Sequence, residues 1–138
     1  MIQKAFGAST ILQNGAFTPG AGQGTLASKT VSLPYHRGII LFWTPSVVTS
    51  GQTVQLTIVG IDASGNEYNL FQTSAVSANT SQYVYHIYPD ANASGTIGTT
   101  ISQALQMELP VSWYVKETFT DTSGTKAVTR AISYVGVN

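Results

Sequence analysis

Residues 53–72 read TVQLTIVGID (53–62), ASGN (63–66) and EYNLFQ (67–72), and this stretch decides the fold class. Val54, Leu56 and Ile58 alternate with Gln55 and Thr57. That period of two places successive side chains on opposite faces of a strand. Asp62-Ala63-Ser64-Gly65-Asn66 carries turn chemistry: Asp favours the first turn position, and Gly takes the left-handed position without steric cost. Glu67–Gln72 then returns antiparallel, giving a hairpin.

Working outward, the same grammar repeats. On the N-terminal side, Arg37–Thr44 (RGIILFWT) is apolar on both faces and reads as a buried central strand, stopped by Pro45. Thr25–Leu33 is an earlier strand ended by Pro34. On the C-terminal side, Gln82–Tyr88 alternates Tyr83, Tyr85 and Ile87 against Val84, His86 and Tyr88, and Pro89-Asp90 closes it. Residues 90–98 read as a long Ala/Asn/Ser/Gly loop, and a strand within Thr99–Leu109 ends at Pro110. In Val111–Thr120, Trp113, Val115 and Phe119 face one way. Asp121–Thr125 repeats the earlier turn chemistry, so Lys126–Val135 is expected as the last strand of a second hairpin. No segment carries a capped helical period. The chain is therefore all-β: an antiparallel β-sandwich or jelly-roll-like barrel of about eight strands over residues 25–138.

Residues 1–24 are rich in Gly, Ala, Thr and Gln, with no period through them, and end in the joint Gly20-Ala21-Gly22-Gln23-Gly24. They read as an extended N-terminal arm. Its sparse apolar residues Ile2, Phe6, Ile11, Leu12 and Phe17 are the candidate anchors for a partner.

Composition narrows the function. Charged residues make up 9% of the 138, six basic against six acidic, where ordinary domains carry roughly 25%. The basic residues Lys4, Lys29, Arg37, Lys116, Lys126 and Arg130 are scattered, so neither the phosphate-binding patch of a nucleic-acid protein nor a polybasic membrane patch exists. Gly38–Trp43 is the longest apolar run, short of the ~20 residues a membrane helix needs. Met1–Phe6 lacks the pattern of a secretory signal, so the sequons at Asn79 and Asn92 are read as chance matches. Ser, Thr, Asn, Gln and Gly must hydrate the surface, which suits dense packing beside other copies or a partner; a Thr-rich strand surface has the same composition. The chain has no Cys, so thiol chemistry is out.

No constellation for catalysis emerges, and no enzyme, metal or cofactor is expected. His36 follows a proline turn and His86 sits inside a strand; neither neighbours a Ser nucleophile motif. Among the acids, Asp62 and Asp121 are explained by turns, and Glu67 and Glu117 by exposed strand positions. Glu108, between Met107 and Leu109, is the least explained but has no visible partner for glycoside chemistry. Asp62-x-Ser64-x-Asn66 has its glycine too early and no closing acid for a calcium loop. Tyr83, Tyr85 and Tyr88 share one strand and form either core packing or a ligand platform.

Beyond residue 37 the order of motifs is distinctive. Arg37-Gly38 opens a strand, followed by Val54-x-Leu56-x-Ile58-x-Gly60-x-Asp62-x-x-Gly65-x-x-Tyr68. Then come Ser74-Ala75, Val84-Tyr85, Ile87-Tyr88-Pro89, Leu109-Pro110-x-x-Trp113-x-Val115 and Ser133-Tyr134-x-Gly136. Over residues 37–138 this resembles small virion proteins of tailed bacteriophages, of the capsid decoration or cement type. The chain departs from that pattern in its long N-terminal stretch and in Pro89-Asp90, where Pro-Gly is expected. The resemblance implies a non-catalytic protein, made in the host cytoplasm and placed on the capsid surface. It implies copies, often trimers, that bridge major capsid protein subunits without nucleic acid or membrane. The alternative is a carbohydrate- or receptor-binding β-sandwich of a phage tail or fibre, with Tyr83, Tyr85 and Tyr88 as its platform.

Overall fold

The structure, a computed structural model, describes residues 9–17, 22–28, 30–32, 38–46, 52–77, 81–121 and 128–137. For 13–17, 22–26, 46, 77, 121 and 128–130 it describes the backbone alone. These residues form twelve strand segments: β1 (Thr10–Phe17), β2 (Gly22–Ala27), β3 (Val31–Ser32), β4 (Gly38–Ser46), β5 (Gln52–Ile61), β6 (Glu67–Gln72), β7 (Val76–Ser77), β8 (Gln82–Ile87), β9 (Ser94–Ile97), β10 (Thr100–Leu105), β11 (Ser112–Asp121) and β12 (Val128–Val137).

They build two sheets. One runs β1-β12-β4-β8-β10-β9 and the other β2-β11-β5-β6. Strand β5 occupies one side of β11 along its whole length, so β3 continues the line of β2 on the other side. By the same reasoning β7 continues β6 along β5. Counting each broken strand once, the order is 1-12-4-8 over 2-11-5-6, with β10 and β9 added beyond β8. The chain passes between sheets at every connection of that set except the β5–β6 hairpin. This is the double Greek key of a jelly roll, and the expected two-sheet all-β architecture stands. All pairings are antiparallel except β8 with β10.

The hairpin at the start of the reading forms as its chemistry dictates. The Gly65 N–H donates to the Asp62 carbonyl at 3.0 Å, and Gly65 takes a φ of 86°, open to glycine without strain. The Ser64 and Asn66 N–H groups donate to Asp62 Oδ1 at 2.8 and 2.9 Å.

One apolar layer fills the space between the sheets. Ile39, Leu41, Trp43, Tyr85, Ile87 and Ile132 meet Val54, Leu56, Ile58, Trp113, Val115 and Phe119. Strand β4 is apolar on both faces because its far side is also covered. There Ile40 packs with Tyr88, Ala91 and Val137 in a smaller cluster, under the segment that follows β8. At Gly38 the backbone of β4 comes so close to β8 that a methyl group would collide with the Ile87 carbonyl oxygen.

Several expectations are corrected. Within the expected extended arm of residues 1–24, Thr10–Phe17 forms β1 and residues 22–24 begin β2, Gly22–Ala27. The first pairs with β12 and the second with β11, each as an edge strand of its sheet. An edge strand needs partners on one side only, so small and polar residues suffice and no clear period shows. The 90–98 loop contains β9. Strand β4 runs through Pro45, beyond the Ile39–Trp43 stretch that pairs with β8, so among the described residues only β12 is its ladder partner there. Strands β11 and β12 do not form a hairpin; they lie in different sheets. The expected turn between them lies, from Thr122 onward, outside the described residues.

Glu117 is the largest departure. Expected on an exposed strand position, it is fully buried. Its parity is that of Trp113, Val115 and Phe119, so it must face the core. Across the sandwich the Trp43 indole Nε1 donates to Glu117 Oε2 at 3.0 Å. Burying a carboxylate is costly unless it is hydrogen-bonded.

Two stability outcomes follow. Trp43→Phe takes the indole donor away from a buried carboxyl oxygen and should cost about 1–3 kcal/mol in urea unfolding. Glu117→Gln, which keeps an acceptor for the indole, should cost clearly less. Gly38→Ala should lower stability by about 1–3 kcal/mol through overpacking, read by thermal denaturation.

Candidate ligand cleft

The two sheets differ in width. Phe71 on β6, the outer strand of the narrower sheet, lies with its ring centroid 5.5 Å from that of Tyr85 on β8. The wider sheet therefore projects past that edge by the two strands β10 and β9. Beneath the overhang is a cleft of about 580 Å³, lined by the Phe71–Val76 segment on one wall and by Tyr83, Tyr85, Ile101 and Gln103 on the other.

Its first wall is pinned to β5. The Thr73 N–H donates to the Leu56 carbonyl at 2.9 Å, and the Leu56 N–H donates back to Thr73 Oγ1 at 3.1 Å. Gln55 Nε2 donates to the Thr73 carbonyl at 3.1 Å, and Gln72 Nε2 to Thr57 Oγ1 at 3.2 Å. In the second wall Tyr83 is half-buried. Its ring lies 5.3 Å from Trp43 and 6.3 Å from Tyr85, within 6° of parallel to the latter. Tyr85 is only 3% exposed. Burial pushes its phenol well above the ordinary tyrosine range, with Tyr83 adding to the shift. It forms the deep end of the cleft as a neutral ring.

The three tyrosines therefore do not make one platform. Tyr83 and Tyr85 come together, whereas Tyr88 points to the opposite face, buried against Ile40, Ala91 and Val137. Its phenol is raised by burial first and Asp90 second, and its ring stands edge-on to His86 at 6.3 Å. Of the candidate anchors, Ile2 and Phe6 lie outside the described residues, and so does the Phe17 side chain. Leu12 packs half-buried against the protein's own core. Ile11 is 65% exposed at the β1 edge.

A smaller pocket of about 340 Å³ at the end of the sandwich brings Glu108 beside Asp62, Tyr68 and Pro110. The sequence reading did not bring these two acids together. Asp62 is committed to its turn: besides the two backbone donors it accepts from Asn66 Nδ2 at 3.1 Å and from the Tyr68 hydroxyl at 3.2 Å. Bonds from Asn66, followed by those from Ser64 and Tyr68, hold its carboxyl below the ordinary value of 3.8. A fully engaged, weakly basic carboxylate is poorly suited to accept a proton in catalysis. Among the described residues no three metal-ligating side chains come together.

Sequence reasoning missed Phe71 and Gln103 as cleft residues. No local signal marks them, because β6 and β10 meet β8 only through the sheet order. Glu117 was findable from parity alone.

No known protein-family description matches the chain, and neither does any curated protein. Among solved structures the chain is similar to one of the infectious bursal disease virus Gx strain. That likeness has a TM-score of 0.49 and 15% identity and covers 99% of this chain and 32% of that one. It is also similar to one of the Gt strain of the same virus, with a TM-score of 0.42 and 15% identity over 94% of this chain and 31% of that one. The chain spans about a third of the length of both.

The Asp62 carboxyl should titrate by NMR with a midpoint below 3.8, and Asn66→Ala should move it partway back. Because the folded pKa is depressed, the turn's contribution to stability is whole above 3.8 and is lost as the pH falls from there through the folded value.

Proposed function

We propose that this chain is a non-catalytic structural protein of a virion, a decoration or cement module that bridges major capsid subunits on the outer surface of a tailed-bacteriophage shell. The observation that carries the reading is the strand order 1-12-4-8 over 2-11-5-6. Jelly rolls of this order serve in viral capsids, and also in lectins and cupins. Fold alone does not choose among these. The choice rests on the motif order over residues 37–138, which resembles the decoration proteins, and on the low, balanced charge.

The placement of exposed apolar residues supports a bridging role. Ile11 is 65% exposed on β1 and Ile97 is 86% exposed on β9, the two opposite edges of the wider sheet. Six strands at about 4.8 Å spacing set those edges about 24 Å apart. A module that binds through two separated points gains from effective concentration at the second. Strand β9 is exposed throughout, and its outer edge offers backbone groups for strand addition by a neighbour. Ile2 and Phe6, ahead of β1, are proposed as further anchors, and a trimer as the bridging unit.

The decisive measurement is copy number in purified virions by quantitative mass spectrometry. A number comparable to that of the major capsid protein is expected. A handful of copies would shift the protein to the tail or portal, and its absence would overturn the reading. Ile11→Asp and Ile97→Asp should each keep the circular dichroism of the parent and weaken attachment to undecorated shells; normal decoration by both variants would remove the bridging role.

A further inference from the structure

We propose that the cleft under the β10–β9 overhang binds a neutral saccharide. Three observations point to that class of ligand, and none depends on the virion reading. The first is charge. None of the residues that line the cleft is acidic or basic. Phosphates, sulfated or acidic sugars and cations would be stripped of water there with no counter-charge, which is strongly unfavourable. A neutral ligand meets no such penalty.

The second is the pairing of chemistries. A pyranose has an apolar C–H face and a rim of hydroxyls. The cleft offers the half-buried ring of Tyr83, and near it the exposed amide of Gln103 and the exposed hydroxyl of Ser74. An amide supplies two donors and an acceptor, and a hydroxyl supplies both, so together they match a polyol rim. Apolar surface with a few convergent polar groups is the usual composition of a small-molecule site, and about 580 Å³ lies in the usual size range.

The third is preorganisation. Trp43 and Tyr85 fix the Tyr83 ring from within the core. Four hydrogen bonds between β5 and Thr73 or Gln72, two donated from each side, fix the opposite wall. A site already formed loses little ordering entropy when a ligand enters.

The test is an array of neutral hexose and N-acetylhexosamine oligosaccharides, probed with the full chain. The best hit is then titrated by NMR, with polygalacturonate as an anionic comparison. Saturable shifts at the amides of Ser74, Tyr83 and Gln103 are expected. Gln103→Ala, at an exposed position, should fold normally and weaken binding about fivefold, the loss of one net hydrogen bond. Tyr83→Ala should weaken it about tenfold, and Tyr83→Phe, which keeps the ring, should bind nearly as the parent does. The proposal is overturned if no neutral oligosaccharide on the array binds, if polygalacturonate binds in preference, or if Gln103→Ala and Tyr83→Ala both bind as the parent does while remaining folded.

Discussion

The burial of a single apolar layer between two sheets of unequal width governs the rest of this structure. Apolar burial is the main favourable term in folding, and here it is satisfied where β4, β8 and β12 face β5 and β11. The narrower sheet ends over β8. Everything beyond that line, β10 and β9 included, is held by hydrogen-bonded pairing and by one-sided packing. The outer cluster of Ile40, Tyr88, Ala91 and Val137 is the compensation on the far face, where the β8–β9 segment folds back over the sheet. The cleft and the exposed β9 edge are two results of the same mismatch.

Within that layer the polar exceptions are few and placed. Glu117 sits among aromatic and aliphatic neighbours with the Trp43 indole as a donor. Trp113 is also fully buried; its indole nitrogen has no hydrogen-bond partner among the described residues, and its ring stands edge-on to Tyr134 at 5.4 Å. A hydrogen bond across the core does what apolar packing cannot, since it fixes how the two sheets slide relative to each other. Such a tie contributes less to net stability than to uniqueness of the fold, because desolvation offsets much of its energy.

What the sequence made legible was local. The Asp62–Asn66 turn is visible because its backbone donors and their acceptors lie within five consecutive residues. The core face of β11 is visible because Trp113, Val115 and Phe119 keep parity, and the same parity places Glu117 inside. The link from β11 to β12 was misread for a physical reason. Turn chemistry of the Asp-x-Ser-Gly kind reverses the chain equally well whether the next strand pairs with the previous one or packs across from it. Strand β1 was hidden by its edge position, which puts little demand on side chains. The cleft was hidden because it assembles Phe71, Tyr83 and Gln103 from three strands in two sheets, and only strand order brings these together.

Strand β12 lies between β1 and β4, and β11 lies between β2 and β5. Strands β11 and β12 are thus interior strands of the two sheets, inserted between elements made much earlier. As the chain leaves the ribosome, β1 and β2 emerge before their only sheet neighbour is made, and β4 and β5 before one of their two. Neither sheet can close until residues 112–137 are available. Until then the unpaired edges are open to other chains. That interval is the period in which chaperone protection matters most.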